Sequence, residues 1–354
     1  MNNRGCEINS NVIKNIESLD NLCKTDVKLL IVLHNNPDPD ALASGFGLKH
    51  LVEKRYKVKA SIAYGGMIAR AENLAMVKIL KIPLKNINRI KYSTYDCIAM
   101  LDTQPGAGNN SLPMDRKCDL LIDHHPVHRG VKSGFSLIEP DVGSTATMII
   151  EFLVACDIDM PTDLATALAY AIRSETQDLG RETTERDIRA YFTVYTKASM
   201  KKLSMIINPS LSHSYYVLLS QTLQHTKIFR HLICTHIGKV PMPEIVAEMA
   251  DLMLRHKRIS WALCTGRFKK SLILSLRTSN IRIDAGKLIK KLVPDEKNAG
   301  GHGTFAGGII HLEKGTKKEF DALECDLSQK FAELMGYENI EWKDFLESRN
   351  GIKI

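Results

Sequence analysis

Four short apolar runs mark out the first half of this chain: KLLIVL (28–33), VKASIAY (58–64), YDCIAML (95–101) and CDLLI (118–122). They show little alternation of polar and apolar residues, which is how strands buried on both faces read. Helix-spaced stretches such as 41–55 and 69–80 fill the intervals. Strands alternating with helices leave few solutions, and the expected one is an α/β fold with a mainly parallel, doubly wound sheet.

Helices follow. Ser144 is placed to cap one through IIEFLVA, TDLATALAYAI (162–172) reads as a second, and Thr183 or Thr184 caps ERDIRAYFTVY. From 198 to 215 the pattern loosens around Pro209, which marks a domain boundary. Beyond it ICTHIG, PEIVAEMADLML, WALCTGRF, SLILSLRT, DAGKLIKKLV, GGHGTFAGG, IIHL and FDALECDLSQKFAELM mix strands and helices as a smaller α+β domain does. The expected organisation is an N-terminal extension (1–24), a first domain (25–197), a linker (198–222) and a second domain (223–345).

Composition excludes several classes. With 25% charged and 44% hydrophobic residues the chain is not broadly disordered. No apolar run approaches the ~18 residues of a membrane span, and MNNRGCEINSN lacks the shape of a signal peptide, so a soluble cytoplasmic protein with no membrane partner is expected. The 8 cysteines show no CxxC spacing, which argues against a thiolate zinc site or a disulfide framework. The net charge is +8, yet 255–297 holds 12 basic and 3 acidic residues, a local +9 that suits an anionic ligand.

Ligands of open α/β sheets collect at the carboxyl ends of the strands. Three such ends here carry acids or histidines: His34, Asp38 and Asp40 in HNNPDPDA, Asp102 after YDCIAML, and Asp123, His124 and His125 after CDLLI. Four carboxylates and three imidazoles converging would repel severely without a cation among them. Carboxylate and imidazole without thiolate fit Mn²⁺, Mg²⁺, Fe²⁺ or Co²⁺ better than structural zinc. The donor count exceeds the needs of one ion. Two ions sharing a bridging carboxylate would use it, an arrangement that suits hydrolysis of phosphate esters.

HNNPDPDA, LDT (101–103), DHH (123–125) and GSTAT (143–147) resemble, in order and spacing, the motifs of the DHH phosphoesterase superfamily. GGHGTFAGG (300–308) is similar to the GGH-type motif of the DHHA1 substrate-binding domain that accompanies it. The resemblance runs from about 25 to 345 and lies nearest the nano-RNase and pAp-phosphatase branch. It implies a DHH domain and a DHHA1 domain with a cleft between them, two divalent ions, Mn²⁺ foremost, and a homodimer. One ion falls to His34, Asp38 and Asp102, the other to Asp40, His124 and the bridging Asp102. The remaining ligand of the family is a helix-terminal Asp, and AIRSETQDLG puts Glu175 there, with Asp178 as the alternative. Asp123 would orient its neighbours, and His125 would face the scissile phosphate. Gly300, Gly301 and His302 would hold a terminal phosphate or base, with Arg277 as a phosphate-binding arginine.

The resemblance therefore implies a Mn²⁺-dependent phosphoesterase. It would cleave short 5′-phosphorylated oligonucleotides or dinucleotides such as pApA, and pAp, to mononucleotides by a two-metal-activated hydroxide. The alternatives are a RecJ-type single-strand exonuclease, disfavoured by 6% aromatic residues and no oligonucleotide-binding domain, and a nucleotide-binding sensor that has lost catalysis at Glu175.

Overall fold

The computed structural model describes residues 15–17, 19–20, 27–68, 70–128 and 130–346, with the His302 side chain outside the description. Most of the expected 1–24 extension lies outside the described residues. The chain divides into two compact units, Met1–Pro209 and Ser210–Ile354.

The first unit is built on six parallel strands, β1 (Lys28–Leu33), β2 (Lys59–Tyr64), β3 (Leu84–Asn86), β4 (Cys97–Leu101), β5 (Cys118–Asp123) and β6 (Ser133–Ile138). Their spatial order is β3-β2-β1-β4-β5-β6. Leu29 of β1 pairs with both Ala60 and Cys97. The chain thus winds outward from β1 to β3 and then restarts on the other side of β1. That reversal makes the β1–β4 junction the switch point of the sheet, where such folds bind ligands. The lack of alternation in β1 has a direct cause. Leu29, Ile31 and Leu33 enter one buried apolar cluster, and Leu30 and Val32 enter another on the opposite face.

Helices α1 (Pro39–Arg55), α2 (Ala71–Leu80), α3 (Thr145–Ala155), α4 (Thr162–Glu175), α5 (Glu185–Tyr195) and α6 (Met200–Ile207) complete this unit. Ser144 caps α3 and Thr184 caps α5 through a capping box with Asp187. The stretch read as a linker is helical on both sides of the division at Pro209. Leu203 and Ile206 of α6 are buried in the first core, and α7 (His213–Gln224) opens the second unit.

The second unit carries a seven-stranded sheet of β7 (Thr226–Phe229), β8 (Leu232–Lys239), β9 (Trp261–Phe268), β10 (Ser271–Thr278), β11 (Ala299–His302), β12 (Phe305–His311) and β13 (Lys343–Asp344). The order is β11-β12-β10-β9-β8-β7-β13, and only β8 and β9 run parallel. α7 and α8 (Glu244–Leu254) share one apolar cluster with the sheet, while α9 (Ala285–Leu292) and α10 (Lys317–Leu334) share the other. GGHGTFAGG is a hairpin rather than a loose turn, with Gly300 opposite Gly307 and Gly301 opposite Ala306. Gly301 has φ +145, and a Cβ on Gly286 would lie 2.0 Å from its carbonyl oxygen. These glycines let the start of α9 press directly on β11.

Candidate metal centre

Three loops at the switch point bring the acids and histidines together. β1 ends at Leu33, and His34 follows at once. The His34 ring turns Nδ1 onto the Asn35 carbonyl at 2.9 Å, where it donates, and this aims Nε2 at the acids. That Nε2 faces Asp38 Oδ2 and Asp102 Oδ2, each at 3.6 Å. Asp38 is the N-cap of α1, and its Oδ1 accepts from the amides of Asp40 and Ala41 at 2.9 and 3.0 Å. Local capping thus occupies one oxygen of Asp38 and presents the other to the site.

Asp40 sits in the first turn of α1, 1% exposed. It is held by the N-terminus of α3, whose Thr145 and Ala146 amides donate to its two oxygens at 2.7 and 2.8 Å. GSTAT is therefore a carboxylate cradle, and Asp40 is its occupant.

Asp102 follows β4 in the left-handed region, φ +58, a conformation Asp tolerates better than most residues. Its two oxygens face different ways. Oδ2 looks to His34, and Oδ1 looks to His124 Nε2 and His125 Nδ1, both at 3.6 Å. Thr145 Oγ1 donates to that same Oδ1 at 3.0 Å. His34, Asp38 and Asp102 form one group whose ligand atoms lie within 4.8 Å of one another; Asp102, His124 and His125 form a second. Asp102 belongs to both.

His124 tests whether a cation fits. Its Nδ1 lies 3.2 Å from the Val142 carbonyl, while Nε2 is buried without a hydrogen-bond partner. That nitrogen faces Asp102 Oδ1 at 3.6 Å and Asp40 Oδ2 at 3.9 Å. In a neutral ring that donates through Nδ1, Nε2 has only a lone pair to turn toward those two carboxylate oxygens, so acceptors face one another there. Divalent ions bound by oxygen and imidazole fit such a donor set.

The electrostatics agree. Burial, then the charges of Asp102 and Asp38, push the Asp40 carboxyl well above its ordinary range despite the α3 amides. Burial acts upward on Asp102 too, but the His34 hydrogen bond and the three neighbouring imidazoles outweigh it and hold that carboxyl low. For His125 burial pulls downward, yet its hydrogen bond with Asp123 and the charges of Asp102, Asp123 and Glu175 raise it to about 9.

Asp123 does not face the two groups as a ligand. Its Oδ1 lies 2.8 Å from His125 Nδ1, and its Oδ2 accepts from Gln104 Nε2 at 2.7 Å. Gln104 was not singled out from the sequence. Buried at 3% exposure, it also accepts the His128 amide at 2.7 Å and so ties the DHH loop to the loop after β4. An amide two residues beyond the strand-end Asp was the available signal.

Of the two carboxylates left open, Glu175 ends α4 half-buried. Burial, then Asp38, Asp40 and Asp102, raise it to about 8. Asp178 is exposed, with φ +59, and accepts from Arg173 Nε at 2.6 Å. The structure thus puts Glu175 in the field of the acidic cluster and engages Asp178 elsewhere. In the second unit, Gly300 and Gly301 lie on β11. Arg277 is directed at α8, where its Nε donates to Asp251 Oδ1 at 2.5 Å.

Residues 28–172 match the family model described as the DHH family, N-terminal domain. An uncharacterized protein of Methanocaldococcus jannaschii is 34% identical over 288 residues, which is 80% of this chain. The chain spans 58% of that relative's length. Among solved structures, an exopolyphosphatase-related protein from Bacteroides fragilis superposes with a TM-score of 0.72 at 16% identity. The match covers 91% of this chain and 98% of that one, and it shows a common fold.

Proposed function

Residues 28–172 match the DHH family, N-terminal domain, and on that premise we propose that the chain is a divalent-metal-dependent phosphoesterase acting on short 5′-phosphorylated nucleotides. The observation that carries the reading is Asp102, whose two oxygens open into separate imidazole–carboxylate groups, each with an imidazole Nε2 facing carboxylate oxygens. His34, Asp38 and Asp102 would hold one cation. Asp40, His124 and Asp102 would hold the other, with Glu175 completing the set. Divalent ions in such a site supply Lewis acidity, lowering the pKa of water and neutralising charge on phosphoryl oxygens. Mn²⁺ is the proposed ion, on the oxygen and imidazole character of the donors.

The chain's own groups do the rest. Asp123 fixes the His125 ring through Nδ1, and the His125 side chain is 44% exposed, open to a substrate. With its value raised to about 9, His125 holds its proton at neutral pH and is suited to donate it to a leaving oxygen. In the second unit Gly300, Gly301 and His302 would bind the terminal phosphate or base. Arg277 would join them by sharing its head group between phosphate and Asp251. The proposed substrates are linear dinucleotides such as pApA, oligoribonucleotides of a few units, and pAp.

The test is release of AMP from 5′-pApA by purified protein with added Mn²⁺. Mn²⁺-dependent release supports the assignment. A folded, metal-loaded protein that releases none rejects it.

A further inference from the structure

The strands of the second unit end in a row of positively charged side chains that no part of the metal chemistry uses. Backbone hydrogen bonds fix its order. The Thr278 amide donates to Thr304 O at 2.9 Å, beside the Gly303 turn of the glycine hairpin. Ser279 N donates to Ser260 O at 3.1 Å, and Ser260 N to His231 O at 3.0 Å. The glycine turn, the loop after β10, the loop before β9 and the β7–β8 turn therefore lie side by side along one edge. The four spacings from β12 to β7, about 4.8 Å each, give this edge a length of roughly 19 Å.

Exposed on it are Arg282 from the first loop, Arg255, His256, Lys257 and Arg258 from the second, and Arg230 from the β7–β8 turn. Among the described residues no ion pair engages Arg230, Lys257, Arg258 or Arg282, whereas Arg267 and Arg277 are both bound to carboxylates. Ile281, 85% exposed, stands next to Arg282. At the far end Arg230 lies over the Tyr337 ring at 5.1 Å. The acids along this edge are Asp284, which caps α9 through the Gly286 amide, and Glu338 and Glu341 beside Tyr337 and Trp342.

We propose that this edge is a track for a single-stranded nucleic acid, which extends from the glycine turn past Arg282, Lys257 and Arg258 to Arg230. The proposal rests on the nucleotide-cleaving reading above and lengthens its substrate. Regular phosphates suit a line of unneutralised cations, and the exposed Ile281 side chain among them suits a base. A stacked strand rising about 3.4 Å per nucleotide needs about six nucleotides to cover the edge, so a dinucleotide cannot reach its end.

The experiment measures binding of 3′-labelled, 5′-phosphorylated oligouridylates of two and eight nucleotides by fluorescence anisotropy. EDTA excludes hydrolysis, so failure of the cleavage reading appears separately in the pApA assay. The octamer is expected to bind at least tenfold more tightly than the dimer. The variant R230N/R258N/R282S removes three charges, with Asn at the two left-handed positions (φ +52 and +74) to keep the turns. At about 0.7 per phosphate contact on a single strand, its log–log salt slope for the octamer should fall by about 2. The control K269N/K314S/K318S takes three charges from elsewhere in the same unit and should keep the slope. R282S, in an exposed loop, should lose about 0.7 and serves should the triple variant not fold. Equal affinity for both lengths, an unchanged slope in the row variants, or an equal loss in the control overturns the proposal. Poly-glutamate displacing the octamer at equal charge concentration would overturn the nucleic-acid assignment.

Discussion

Replacing Glu175 by Gln in metal-free protein should remove a pH-dependent loss of stability. Burial, and then the charges of Asp38, Asp40 and Asp102, raise this carboxyl from 4.5 to about 8. A raised carboxyl binds its proton more tightly in the folded chain than in the unfolded one. Below 4.5 it imposes no penalty, and stability is lost progressively as pH rises toward 8. At 1.36 kcal/mol per unit, the step from pH 5 to pH 8 costs about 3.5 kcal/mol through this group. His125, raised from 6.5 to about 9, acts in the same direction: its contribution is whole below 6.5 and is lost as pH passes 9. Most of that part of the slope should survive in the variant, because Asp123 and Asp102 act on His125 more strongly than Glu175 does. Urea unfolding in EDTA at the two pH values measures the difference. Glu175→Gln should lie within about 1 kcal/mol of wild type at pH 5 and gain about 3.5 kcal/mol relative to it at pH 8. Added Mn²⁺ should give wild type an increment that grows with pH, because ligands must be deprotonated to bind. Parallel pH slopes for wild type and variant in EDTA would refute the reasoning and remove Glu175 from the acidic cluster.

Asp102→Asn should abolish turnover and reduce Mn²⁺ binding in calorimetric titration by well over the ~10–100-fold typical of an outer partner, since both groups share this residue. Two ions bound at wild-type affinity would contradict the shared role. Gln104→Met keeps the volume but strips partners from Asp123 Oδ2 and the His128 amide. The buried Asp123 Oδ2 left without this donor, at ~1–3 kcal/mol for an unsatisfied buried group, predicts a loss of about 1–3 kcal/mol, read by urea unfolding, together with a lower kcat. Wild-type stability would show that the amide is not holding the loop. His302→Ala should raise KM for pApA with kcat nearly unchanged, and a kcat loss at constant KM would move His302 into the chemistry.

The sheet was legible where burial on both faces leaves a mark. β1, β9 and β10 match KLLIVL, WALCTGRF and SLILSLRT residue for residue, because nearly every position in them packs against something. Edge strands gave no such signal. β6, SGFSLI, is half-buried at best and interrupted by Gly134, and β3 has only three residues. Such strands need little apolar surface, so composition does not separate them from loops. In the site, strand-end acids were visible as a pattern, but their hydrogen bonds were not. The step from DHH to a fixed His125 runs through Gln104, which comes from a different loop, and no spacing rule links residues 104 and 123.

The same non-locality explains how a folded chain keeps so many acids together. Asp38 spends one oxygen on its own helix, and Asp40 has both oxygens on the α3 N-terminus, where amides and helix dipole favour negative charge. That N-terminus is itself pinned by Asp187, 0% exposed, which accepts from the Gly143 amide, Thr147 Oγ1, and the amide and hydroxyl of Thr184. Asp187 thereby fixes the turn that presents the Thr145 and Ala146 amides. Asp38 and Asp40 are positioned by backbone amides and Asp102 by the Thr145 hydroxyl before any cation arrives, and Asp38 Oδ2 and both Asp102 oxygens are left facing imidazole nitrogens. The fold therefore holds the repulsion locally, one capped helix at a time, and leaves a divalent ion only the charge to neutralise.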